Sequence, residues 1–95
     1  MEFQHEPNRI FYEQDGKLLA EVTFTDIDDH QAYVIDRTFV SDELRGQGVA
    51  GQLIKAVVDL ARQEHKLLEP LCTYARHAFD THPEYADVLR PTPEA

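Results

Sequence analysis

The sequence predicts a single small α/β domain, with a β-rich first half and a helical second half joined by a glycine-bearing loop. Three observations carry this expectation. Residues 8 to 40 hold runs of β-forming residues broken by a two-residue turn signal, Asp15-Gly16. The run Val49 to Ala61 repeats its apolar residues at helical spacing. Between the two lies Arg45-Gly46-Gln47-Gly48-Val49-Ala50, a loop that ends a strand and opens a helix. With 95 residues, 42% hydrophobic and 28% charged, the chain is long enough for one modest core, so one domain spanning residues 1–95 is expected.

Taken in order, Asn8 to Glu13 reads as a short strand, and Asp15-Gly16 turns it back on itself between Gln14 and Lys17. The next run places Leu18, Ala20, Val22 and Phe24 on one face and Glu21, Thr23 and Thr25 on the other, as in a half-buried antiparallel strand. Asp26 to Gln31 is a polar turn, read as a solvated hairpin tip rather than a hard-cation site, because no suitable ligand spacing is present. In Ala32 to Val40, strict alternation would put Tyr33, Ile35, Arg37 and Phe39 on one side and Val34, Asp36, Thr38 and Val40 on the other. Apolar residues on both sides predict a central strand covered on both faces.

The helix takes its core stripe from Val49, Leu53, Val57, Leu60 and Ala61, widened by Ala50 and Ile54, and should end near Glu64-His65 without a glycine stop. Lys66 to Leu71 is a short strand interrupted by Pro70; proline donates no ladder hydrogen bond and marks an edge, a bulge or a place where strands part. Thr73 to Asp80 reads as a short helix. A last helical turn or two follows over His82 to Leu89, with Pro83 in its first turn and Tyr85, Val88 and Leu89 packing inward. Arg90 to Ala95 is expected to fray.

Charge narrows the function. A net charge of −9 supplies no basic track for phosphates of a nucleic acid, and it favours cationic partners or serves solubility alone. No run reaches membrane-spanning length, and the first residues lack the basic and apolar regions of a signal peptide, so a cytoplasmic location is the default. One cysteine, Cys72, leaves a free thiol. The loop at Arg45–Ala50 is an anion cradle by construction: the first turn of a helix has unpaired N–H groups, its dipole attracts negative charge, and glycine lets a phosphate approach the backbone. An ordinary surface loop preceding a helix is the alternative.

The stretch Thr38-Phe39-Val40 followed by Leu44-Arg45-Gly46-Gln47-Gly48-Val49-Ala50 resembles the acyl-coenzyme A signature of GNAT acetyltransferases, Arg/Gln-x-x-Gly-x-Gly/Ala, with Arg45, Gly48 and Ala50 at the matching positions. The run Pro70-Leu71-Cys72-Thr73-Tyr74 and then His82-Pro83-Glu84-Tyr85 is similar to a subfamily of very short GNAT-like proteins. Thr73 stands where that subfamily often has proline, and Asp42 where larger GNAT proteins often have one. The resemblance implies a mixed sheet, antiparallel at its N-terminal side, in which the strand before the glycine loop and the Lys66–Leu71 strand run parallel and splay apart. The pantetheine arm of acetyl-coenzyme A would lie in that gap, bonded to backbone near Phe39 and Val40. Its pyrophosphate would rest on Gly46, Gln47, Gly48, Val49 and Ala50, beside Arg45.

By the same resemblance the activity would be acetyl transfer to an amine, with Tyr74 as the acid that protonates the departing thiolate and Cys72 as a transient acyl acceptor. Each has a plainer reading: Tyr74 as a packed aromatic, Cys72 as a small buried hydrophobe. A helix N-terminus at Thr73, Arg76 or His77 would favour a thiolate at Cys72. The gaps between Cys72, His77 and His82 match no common zinc pattern, and no metal site is expected. A coenzyme-binding module or sensor without turnover is the rival function, since the helices with which ordinary GNAT enzymes grip substrate have no counterpart in these residues.

Overall fold

Asp15 and Gly16 both adopt positive φ, 53° and 77°, the geometry of a two-residue turn that matches strand twist. They join β2 (Arg9–Gln14) to β3 (Lys17–Ile27), with Gln14 opposite Lys17. The computed structural model describes residues 1–91. It adds β1 (Gln4–Glu6) before the hairpin, and after it β4 (Ala32–Val40), α1 (Val49–Glu64), β5 (Leu67–Pro70) and α2 (Thr73–Thr81). Short 3-10 segments cover Asp42–Leu44 and Pro83–Val88. The strands form one five-stranded sheet in chain order, antiparallel from β1 to β4 and parallel between β4 and β5. This is the mixed α/β sheet that the resemblance implies. No helix among the described residues is long and apolar enough to cross a membrane.

Two bulges correct the faces expected from simple alternation. Between the pairs Tyr12–Ala20 and Glu13–Leu18 the extra residue is Leu19; between Thr23–Arg37 and Phe24–Ile35 it is Asp36. A bulge inserts one residue and so reverses the parity of everything beyond it. Directly opposed residues share a face. Thr38 pairs with Val22 and Val40 with Ala20, so both join Ile35 and Phe24 on the helix-covered side. Arg37 and Phe39 turn to the other side with Thr23 and Glu21.

One hydrophobic cluster fills the helix-covered side. Ile10, Ala20, Val22, Phe24 and Ile35 from the sheet meet Val49, Leu53, Ile54, Val57, Val58 and Ala61 of α1, with Ala75, Ala78, Tyr85 and Val88 closing the end. The expected stripe of α1 is largely present, but Val58 is fully buried and Leu60 only partly. Every helical residue in that cluster packs on this one face, which corrects the expectation of a central strand covered twice. On the opposite face Phe11 and Leu19 are buried by neighbouring side chains instead. Glu21 lies there between Arg9, 2.6 Å away, and Arg37, 3.6 Å away, and Arg9 also stacks 3.6 Å from the Phe11 ring centre. A carboxylate this far from water needs such partners.

At the far end of the sheet Lys66 holds Asp26 at 2.8 Å and sits 4.2 Å over the ring of Tyr33, whose hydroxyl donates to Glu64. The Lys66 contact, with a smaller part from His30, lowers the pKa of Asp26 below its ordinary 3.8. Desolvation first, and the bond to Glu64 second, raise that of Tyr33. Two expectations at the C-terminal end need correction. Leu89 does not pack inward: its side chain is 41% exposed, and its backbone bridges to Leu68 instead. Arg90 is not frayed, since its N–H donates to the Leu68 carbonyl at 2.8 Å and its Nε to Asp28 at 2.6 Å. The rest of the expected tail, residues 92–95, lies outside the described residues.

Helix α1 stops where expected, at Glu64, and it does so without glycine. His65 takes a left-handed φ of 56°, its N–H reaches Arg62, and the N–H of Lys66 reaches back to Ala61 at 2.8 Å, a complete Schellman cap. A side chain in that conformation is under strain that glycine lacks. His65→Gly is therefore expected to raise stability by about 0.5–1 kcal/mol, read as a higher denaturant midpoint at unchanged slope.

Candidate active site

The site begins where β5 leaves β4. The two strands pair in parallel from Ala32–Leu67 to Ile35–Pro70. Pro70 has no N–H to continue the ladder, and the Ile35 carbonyl accepts both the Leu71 N–H (3.2 Å) and the Cys72 N–H (3.3 Å). Beyond that point β4 runs on beside β3 alone, while the other chain turns away into α2. The expected splay between parallel strands is present, and it leaves backbone of residues 36–40 free on one edge.

The floor is the start of α1. Gly46 and Gly48 stand at φ 82° and 74°, conformations that a side chain resists. An added Cβ would meet nothing within 4 Å at either, so glycine is needed there for its backbone, and the space before it is open. Gly48 is the N-cap and offers no side-chain acceptor. The first turn holds no acidic residue either. The intrahelical bond from Gln52 to Gly48 leaves the N–H groups of Val49, Ala50 and Gly51 without helical partners. The helix thus presents an uncapped positive end.

A cavity of about 520 Å³ joins the splay to this floor. Thr38 and Val40 line it from β4, Leu44, Arg45 and Gly46 from the loop, Gly48, Val49 and Ala50 from α1, and Tyr74 from α2. Most residues anticipated for cofactor binding therefore meet on one surface. Phe39 does not; its side chain lies on the opposite face, 5.6 Å under Arg37, leaving only its backbone near the splay. Gln47 also stands off the lining, its amide donating to the Glu43 carbonyl at 3.4 Å. Thr38 and Leu44, which stand in the signature stretch without an expected binding role, also line the cavity; the face of Thr38 depends on the Asp36 bulge.

Tyr74 sits in the first turn of α2, 42% exposed, with its hydroxyl 4.0 Å from where a side chain on Gly51 would begin. The hydroxyl therefore lies over the first turn of α1, beside the cavity. Cys72 is behind the lining rather than on it. It is the N-cap of α2: its Sγ accepts the Ala75 N–H at 3.4 Å and lies 3.5 Å from the Thr38 hydroxyl. Of the groups expected to favour a thiolate, the helix N-terminus is in place, while Arg76 donates to the Pro70 carbonyl. The His-Pro-Glu-Tyr segment has a structural use, since His82 binds the Ala78 carbonyl through Nδ1 at 2.8 Å and stacks on Tyr85 at 5.0 Å.

Comparison with known proteins agrees with this geometry. The family described as GCN5-related N-acetyl-transferase matches residues 9–88. A GCN5-like N-acetyltransferase candidate from Staphylococcus aureus, solved in solution, is 34% identical over 98% of this chain and 91% of its own, with a TM-score of 0.79. Two more distant structures share the fold. A ribosomal-protein-alanine N-acetyltransferase from Brucella melitensis biovar Abortus 2308 is 21% identical over 92% of this chain and 64% of its own, TM-score 0.56. A predicted acetyltransferase with acetyl-CoA from Clostridium acetobutylicum is 16% identical over 92% and 60%, TM-score 0.57. No curated sequence matches the chain significantly.

The cap at Cys72 makes a test of its structural share. Cys72→Ala removes the acceptor for Ala75 and should cost about 1 kcal/mol of stability, whereas Cys72→Ser, a good N-cap, should keep it within about 0.5 kcal/mol. Thermal and urea denaturation of the two variants check this; equal losses would deny the cap its role.

Proposed function

The chain belongs to the GCN5-related N-acetyltransferase family, and from that premise we propose that it transfers the acetyl group of acetyl-coenzyme A to a small-molecule or protein amine. The observation that carries this reading is the single cavity into which the strand splay, the uncapped start of α1 and Tyr74 all open. Its parts suit the cosubstrate. The N–H groups of Val49 and Ala50, the open glycines and Arg45 suit a pyrophosphate. The free edge of β4 near Phe39 and Val40 suits the amides of a pantetheine arm.

In the proposed reaction the amine nitrogen attacks the thioester carbonyl, the carbon–sulfur bond breaks, and the departing thiolate takes a proton from the Tyr74 hydroxyl. The amine's surplus proton passes to solvent, and solvent returns one to the Tyr74 oxygen. In a covalent variant Cys72 Sγ takes the acetyl group and releases coenzyme A, and the amine then takes the acetyl group from sulfur; Sγ lies 3.5 Å from the Thr38 hydroxyl, and Thr38 lines the cavity. The net charge of −9 favours a cationic acceptor.

The coenzyme assignment is tested by calorimetry with coenzyme A. Gly48→Glu would put a carboxylate in the cradle and should abolish binding in a protein that circular dichroism shows still folded. Unchanged affinity in that variant would remove the site, and a wild-type protein that binds coenzyme A yet acetylates nothing in an amine panel would favour a binding module. For the chemistry, Tyr74→Phe should lower kcat about 100-fold while leaving coenzyme affinity nearly unchanged. Intact-mass analysis after incubation with acetyl-coenzyme A alone separates the two routes: an acetyl group lost in Cys72→Ser supports the covalent one, and full transfer by that variant supports direct attack.

A further inference from the structure

We infer that Asp42 sets the affinity of this site for phosphates by competing with them for Arg45. The inference rests on the coenzyme reading above and concerns a residue outside the cavity lining. Asp42 opens the 3-10 turn that leads into the glycine loop, and its carboxylate lies 3.0 Å from Arg45 Nε. The turn holds it there: Ser41 caps the segment through the Glu43 N–H, and the Leu44 and Arg45 N–H groups close back on Ser41 and Asp42. Arg45 is the basic side chain on the lining of the cavity. The next residue, Glu43, pairs in the same way with Lys17.

Arg45, the cation on the lining, is thus matched by a carboxylate from the turn that precedes it. An arriving pyrophosphate meets helix N–H groups and a guanidinium already paired on one side. A phosphate that takes Arg45 through its Nη groups, or displaces Asp42 from Nε, keeps that carboxylate close as a repelling charge. Both side chains are largely exposed, 73% and 86%, so the pair is weak and exchangeable, as a competitor must be. Repulsion across water of this kind is modest and salt-dependent.

The test measures coenzyme A, dephospho-coenzyme A and pantetheine binding to the wild type, Asp42→Asn and Asp59→Asn. Asp59 is an exposed carboxylate on α1, about 16 Å along the helix from Gly48, and its removal changes net charge equally. Asp42→Asn should bind both phosphorylated ligands about three- to tenfold tighter at low ionic strength, with the gain fading as salt approaches about 1 M. Pantetheine, which has no phosphate, should bind equally to all three proteins. Measurable coenzyme binding with no gain in Asp42→Asn would overturn the inference alone, as would an equal gain in Asp59→Asn or a gain for pantetheine. Failure of the wild type and both variants to bind coenzyme A would overturn the coenzyme reading and this inference with it.

Discussion

The site depends on one carbonyl group. The oxygen of Ile35 takes two hydrogen bonds from the chain just beyond β5, the Leu71 and Cys72 N–H groups, at the point where Pro70 has already broken the ladder. On the neighbouring side of the same strand, Asp36 bulges out of register with β3. Strand pairing is cooperative and propagates unless something interrupts it. Here a missing donor on one side and an extra residue on the other interrupt it together. The parting of β4 and β5, the cavity between them and the inward turn of Thr38 and Val40 all follow from that place.

The second constraint is electrostatic and comes from omission. Helices usually satisfy their first N–H groups with a Ser, Thr, Asp or Asn cap and gather acidic residues in the first turn. Helix α1 has glycine at its N-cap and no acidic residue in that turn, whereas α2, in the same protein, is capped by the Cys72 sulfur. The difference leaves the first N–H groups of α1 without a side-chain partner, where the proposed pyrophosphate would sit. Its remaining length is buried along the sheet by Leu53, Ile54, Val57 and Val58, so the exposed N-terminus sits on a rigid element.

Much of this was legible in the chain. Asp15-Gly16 specifies its turn chemically, and the 3.6-residue period of Val49 to Ala61 fixes α1 to within a residue at its end. The glycine loop could be placed because its chemistry is backbone chemistry, which needs only the glycines and a helix behind them. What escaped were features decided by pairing between distant residues. The bulges at Leu19 and Asp36 leave no local signature, and strict alternation puts Arg37 and Phe39 on the face of Tyr33 and Ile35 for that reason. Strand β1, with all three residues exposed, has no hydrophobic pattern to read and exists through its register with β2. Arg90 is ordered by Leu68 and Asp28, neither of which its own neighbourhood in sequence reveals.

The strand order has a consequence for the way this fold opens and closes. Strands β1 to β4 each pair with their chain neighbour, so the loops that close them are short, whereas β5 reaches β4 only after the whole of α1 has been traversed. Closing that longer loop costs more entropy and is repaid by four residue pairs and by the burial of Leu68 in the core. The local pairings of the meander carry the smaller closure cost, and the β4–β5 pairing carries the larger one. Because Tyr74 lines the cavity from the chain that leaves β5, a partial opening confined to β5 and α2 would remove that wall while most of the sheet stays intact. A ligand that touched both β4 and Tyr74 would draw the molecule toward the closed form by mass action.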